Sequence, residues 1–121
     1  MDNRNESTQR SPVIDLDIYT EGDPDFKREL ISLLIANLRE LQQALQDVDA
    51  NTSINFIKVL HKVKATVTML NDIEFMETVE EVKASIISNQ PLEFFKRKLS
   101  SLSGLCDQVI ASLIAESHRL T

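Results

Sequence analysis

Glycine and proline are scarce, at two and three residues in a chain of 121. So few turn formers leave little room for the many short strands and tight turns of a sandwich or barrel. The apolar residues instead recur at three- and four-residue spacing, which predicts an all-α protein. Tryptophan is absent, and the single cysteine, Cys106, has no partner for an internal disulfide. Because Cys106 falls on an apolar helical stripe, a buried reduced thiol is expected there. Long apolar runs are missing as well: stretches such as 33–36 fall far short of the roughly 20 residues that span a bilayer. Residues 1–12 are polar and mixed in charge, without the apolar segment of a secretion signal. They are expected to form a disordered tail ahead of a single domain over 13–121. Basic residues are outnumbered, 13 against 19 acidic, giving a net charge of -6 and a pI near 4.8. Such a surface repels phosphate backbones and anionic headgroups, so neither nucleic acid nor membrane is expected as a partner, and the expected compartment is the cytoplasm.

What is present is a series of apolar stripes. Val13, Ile14, Leu16, Ile18 and Tyr19 suggest a short helix or an extended lid, ended by Gly22-Asp23-Pro24. Asp23 is placed to cap the next helix and Pro24 to open it. Phe26, Leu30, Leu33, Leu34, Leu38, Leu41 and Leu45 then trace a first long helix that ends near residues 47–51. Thr52 or Ser53 is positioned to cap a second helix, which carries Phe56, Leu60, Val63, Val67 and Leu70 and stops at Asn71-Asp72. Asp72 caps a third, with Ile73, Met76, Val79, Val82 and Ile86 directed inward. The last helix begins near Pro91 and sets Leu92, Phe95, Leu99, Leu102, Cys106, Val109 and Leu113 along one seam. Gly104 within it costs about 1 kcal/mol relative to alanine and marks either a bend or a close helix contact. Short connections force sequential helices to run antiparallel. The expected architecture is therefore an up-down-up-down four-helix bundle with a short N-terminal helix or lid, and a monomer is the default.

The second helix carries the chemistry. On a wheel of about 100° per residue, Phe56, Leu60, Val63, Val67 and Leu70 cluster within about 40° and account for the core side. His61 falls about 140° away and faces outward, flanked by Ile57, Lys64 and Thr68 on one side and by Ile54 and Ala65 on the other. Lys64, one turn along, is placed to neutralise a phosphoryl group on the imidazole, and the small Ala65 leaves the ring accessible. From Ser53 to Asn71 there are three lysines, Lys58, Lys62 and Lys64, and no acid, an island of positive charge on an acidic protein. That asymmetry favours a partner with an acidic active site or a phosphoryl group, and Ile54 and Ile57 add apolar docking area beside the histidine. A surface histidine is usually just a solvated side chain. It is the joint pattern of histidine, lysine at the third position, a small residue at the fourth and a helix free of acids that points to function.

Leu60-His61-Lys62-Val63-Lys64-Ala65-Thr66 resembles the signature of the histidine-containing phosphotransfer domain family, and Met69-Leu70-Asn71 resembles the leucine-glycine turn that closes the active helix there. Gly22-Asp23-Pro24-Asp25-Phe26, the spaced leucines and the acidic turn from Asp47 to Asp49 are similar to the segment that leads into the family's first long helix. The chain departs from the pattern at Ala65 and Asn71, where glycine is commoner, and at Leu60, where alanine is frequent. Asparagine tolerates the left-handed conformation such a turn requires. The resemblance implies that His61 accepts a phosphoryl group from a phospho-aspartate of one response-regulator receiver domain and passes it to another, with Lys64 steadying the phosphohistidine. Ile54, Ile57, Lys58, Lys62, Ala65 and Thr68 would form the docking surface. It also implies a hybrid histidine kinase upstream, no cofactor bound by this chain and no kinase activity of its own, the Mg²⁺ belonging to the receiver. The initial methionine and the lack of a kinase or receiver segment favour a separate protein over a tethered domain.

Rival chemistries find less support in the residues. A metal-binding bundle needs inward carboxylates and Glu-x-x-His pairs, but Lys58 precedes His61 and Ala115 precedes His118 at that spacing. His118, beside Arg119, reads as a solvent-facing complement to a helix dipole. Nucleophilic hydrolysis lacks a strand-turn-helix context for its serines. Lys27-Arg28 and Lys96-Arg97-Lys98 read as solvated helix faces. The remaining alternative is a bundle that docks and inhibits a receiver or kinase without being phosphorylated.

Overall fold

The computed structural model describes residues 16–48, 53–88 and 92–120, and these residues are organised as six helices with no strand among them. They are α1 (Leu16–Thr20), α2 (Pro24–Gln46), α3 (Ser53–Lys62), α4 (Lys64–Leu70), α5 (Ile73–Ser88) and α6 (Leu92–Arg119). The two longest, α2 and α6, pack along each other, α5 lies against α6, and α3 lies against α2, an arrangement compatible with a helical bundle. No helix among the described residues is long and apolar enough to cross a membrane. The expected tail over 1–12 and the cap at Thr52 lie outside the described residues.

Local chemistry sets the helix ends. Asp23 Oδ1 accepts from the backbone N–H groups of Asp25 at 2.9 Å and Phe26 at 3.2 Å, and Pro24 opens α2, as expected. Asn71, at φ 50° and ψ 37°, ends α4 in the left-handed conformation, its N–H donating to the carbonyl of Thr68 at 3.1 Å. Asp72 then starts α5 by accepting from the N–H of Phe75 at 3.1 Å. The turn between α1 and α2 places Glu21 at φ 54° and Gly22 at φ 78°, two successive left-handed residues of which glycine carries the second without strain.

The core is built by Ile31, Leu34, Leu38, Leu41 and Leu45 of α2, Phe56 and Leu60 of α3, Phe75, Val79 and Val82 of α5, and Leu102, Cys106, Val109 and Leu113 of α6. Cys106 is a buried free thiol. Burial, and next the neighbouring Asp107 carboxylate, push this thiol up to about 12, so it stays protonated and unreactive at neutral pH.

Four expected core positions are corrected. Phe26 and Leu33 are 48% and 57% exposed. The buried face of α2 is centred on Ile31, Leu34, Leu38, Leu41 and Leu45, and on a helical wheel Leu33 lies about 120° from that centre, while Phe26 lies in the first turn of the helix, at the end of the stripe. On α5, Ile73 and Met76 are 71% and 38% exposed, while Phe75 is fully buried. Capping by Asp72 makes Ile73 the first residue of the helix and turns it about 160° away from Phe75.

The expected single second helix is also corrected, because it is two. Val63, at φ -96° and ψ 15°, separates α3 from α4. Four of the six residues over 63–68 are β-branched (Val63, Thr66, Val67, Thr68), a composition that weakens helix propagation at this point. Thr66 is buried, and its hydroxyl accepts from Asn37 Nδ2 of α2 at 2.7 Å, which ties α4 to the bundle. The bonds from Val63 N–H to the Val59 carbonyl (2.9 Å) and from Val67 N–H to the Val63 carbonyl (3.1 Å) carry the ladder through the joint.

Polar ties fix the helices to one another. Lys27 reaches Asp17 of α1 at 2.8 Å and Glu116 of α6 at 3.6 Å, while Arg28 pairs with Asp25 and donates to the carbonyl of Leu120 at 2.8 Å. Lys27-Arg28 is thus a clasp between the two ends of the described chain rather than a merely solvated face. Lys98 pairs with Glu81 of α5 at 2.9 Å and lies over the Phe94 ring.

Gly104 is exposed, and a methyl group placed on it would meet no atom within 4 Å. It marks no close contact. Gly104→Ala is therefore expected to stabilise the protein by about 0.5–1 kcal/mol, read as a higher urea midpoint at unchanged slope.

Candidate functional site

The successive helices α3 and α4 and the neighbouring α5 enclose a groove of about 320 Å³, and His61 stands in its wall. Leu60, Val67 and Val79 give it an apolar floor, with Ile57 and Met76 beside them. The position of His61 follows from the register already described: Phe56, Leu60 and Val63 are pulled into the core, which swings the next-door ring outward. His61 is exposed, and it makes no hydrogen bond or ion pair with another described residue. An imidazole so placed presents nitrogen to an incoming group without first breaking an internal contact.

The structure gathers some of the expected site residues and disperses others. Ile57, His61, Lys64 and Thr68 line the groove together. Ile54 is 67% exposed, and Lys58, Lys62 and Ala65 are exposed too, but none of these four lines the groove. Lys62 reaches across to Glu40 of α2 at 3.0 Å, so part of the positive island is neutralised by an acid that is distant in sequence. Lys58 and Lys64 have no ion pair among the described residues. Lys64 opens α4 immediately after the Val63 joint, three residues beyond His61, and lines the same groove.

The opposing wall was missed. Met76, Glu80 and Lys83 of α5 line the groove, with Lys83 Nζ 3.5 Å from Glu80 Oε2. Their spacing of four and three residues marks one helical stripe, which is legible in the sequence, although which helix it would face is not. With both lysines and the glutamate charged, these three side chains place one net positive charge around His61.

His118 is exposed in the last turn of α6, as expected, where a basic residue complements the helix dipole. Among the described residues no group of three or more histidine, cysteine, aspartate or glutamate side chains lies close enough to share a metal ion. Compared with known protein families, curated proteins and solved structures, the chain has no match.

Proposed function

We propose that this chain is a histidine phosphotransfer protein of a two-component phosphorelay, which accepts a phosphoryl group on His61 from a receiver phospho-aspartate and passes it to another receiver. The observation that carries the reading is an exposed His61, without a hydrogen bond or ion pair among the described residues, that shares an apolar-floored groove with Lys64. In the step itself, a lone pair of the imidazole forms the P–N bond while the P–O bond of the acyl phosphate breaks, and the aspartate carboxylate leaves with that electron pair. Lys64 would balance the charge of the phosphoryl on the histidine. Mg²⁺ would sit on the receiver, whose acidic pocket supplies most of the charge stabilisation.

Ile54, Ile57, Lys58, Lys62, Ala65 and Thr68 would meet the receiver around His61, with the lysines steering its acidic face. Within this reading α3 and α4 count as one helix interrupted at Val63, and the four principal helices run up-down-up-down. The short connection between α4 and α5, residues 71–72, supports that antiparallel course. The protein would act as a monomer in the cytoplasm with receivers and a hybrid histidine kinase, and would bind no cofactor of its own.

The test is to mix the purified chain with a panel of phosphorylated receiver domains and Mg²⁺ and follow the label. Transfer to an acid-labile, base-stable adduct is the expected result. Receivers that bind but never pass label would sink the carrier reading and leave a docking module that inhibits its partner.

A further inference from the structure

Lys83 is the cation of the groove for which the carrier chemistry has given no task. It enters from α5, across from Lys64 and His61, and its one ion pair among the described residues is with Glu80, one turn earlier on the same stripe. At 3.5 Å, with side chains 42% and 71% exposed, such a pair holds its partners loosely. A lysine on a flexible four-carbon stem can therefore be drawn from it at little cost.

What would draw it is a phosphoryl group. On the bare histidine, Glu80 and Lys83 cancel. A phosphoryl on His61 adds up to two negative charges and three strong acceptor oxygens to the same groove, so that Glu80 repels it while Lys83 is attracted to a better acceptor than a single solvated carboxylate. The pair is arranged so that loading the histidine reverses which partner the lysine favours.

We propose that Lys83 is a second positioning cation for a phosphoryl group on His61, held by Glu80 while the histidine is bare and turned to the phosphoryl once it is loaded. The inference rests on the carrier reading and adds a wall to its site: the phosphoryl is met by Lys64 from α4 and by Lys83 from α5. It also assigns Glu80 the opposite electrostatic effect, so the two residues make predictions of opposite sign.

The experiment uses the full chain as wild type, Lys83→Gln, Lys83→Arg and Glu80→Gln, at one half-buried and one exposed position. Each is loaded with phosphoramidate, whose P–N bond breaks with loss of ammonia as the P–N bond to the imidazole forms. The phosphoryl is then titrated by ³¹P NMR. Its midpoint is expected to rise by about half a unit in Lys83→Gln, because a lost cation disfavours the dianion, to fall by a similar amount in Glu80→Gln, and to be restored in Lys83→Arg. Forward transfer to a receiver should slow about three- to tenfold in Lys83→Gln. A wild type that loads while both glutamine variants titrate like it overturns the inference and leaves the carrier reading intact. A wild type that takes phosphoryl neither from phosphoramidate nor from any receiver overturns the carrier reading, and this inference with it.

Discussion

His61→Gln is expected to abolish phosphoryl uptake from receivers, and Lys64→Ala to slow it by about tenfold, with both proteins still folded. Glutamine keeps the size and polarity of the side chain but has no nucleophilic nitrogen, so the P–N bond cannot form and no residual rate survives. Lys64 does not take part in bond making. Its contribution is the attraction between an ammonium and the charge gathered on the histidine, which in a partly solvated groove amounts to a modest factor rather than an absolute requirement. Both side chains are exposed and neither makes an ion pair among the described residues, so each substitution should change stability by less than about 0.5 kcal/mol. The measurement is single-turnover transfer from one phosphorylated receiver, with the urea midpoint of each variant beside it. Rising ionic strength should narrow the gap between wild type and Lys64→Ala, since screening weakens the contact that the variant lacks. Label retained by His61→Gln at the wild-type rate would move the acceptor elsewhere and end the case for His61.

How much of this was legible before the fold was known depends on whether the signal is local. Asp23, Pro24, Asn71 and Asp72 act on neighbours within three residues, so turn and cap chemistry could be read from the sequence and the structure agrees. The outward direction of His61 was legible for the same reason, because Phe56, Leu60 and Val63 fix the wheel of their own helix. The opposite wall of the groove was not, since nothing in the α3–α4 segment states which helix will pack beside it. Lys62 and Glu40 are 22 residues apart, and only folding pairs them. α5 was misread in register because it carries two apolar stripes. Phe75, Val79 and Val82 form one; Ile73 and Met76 lie off it and compete for the same assignment by spacing alone. The joint at Val63 is not legible because the apolar stripe of Phe56, Leu60, Val63 and Val67 runs through it unbroken and helix propensity is too weak a signal to place a break.

Phe75→Ala should cost about 3–5 kcal/mol, the largest stability effect expected of any substitution considered, whereas Ile73→Ala should cost less than about 0.5 kcal/mol. Phe75 is fully buried, so truncation removes its transfer free energy and leaves a void that neighbours fill only in part. Its backbone N–H, which Asp72 accepts, survives the substitution, so the cap of α5 is kept and the loss belongs to packing alone. Ile73 has most of its surface in water already. Against a total stability of about 5–15 kcal/mol for a domain, the first variant would be left marginal and the second indistinguishable from wild type in urea. The comparison also bears on the site. Phe75, Val79 and Val82 facing the core is what turns Met76, Glu80 and Lys83 into the groove beside His61. Were Ile73→Ala the costlier substitution, α5 would be rotated about its axis, Lys83 would leave the groove, and the second wall of the phosphoryl site would be lost with it.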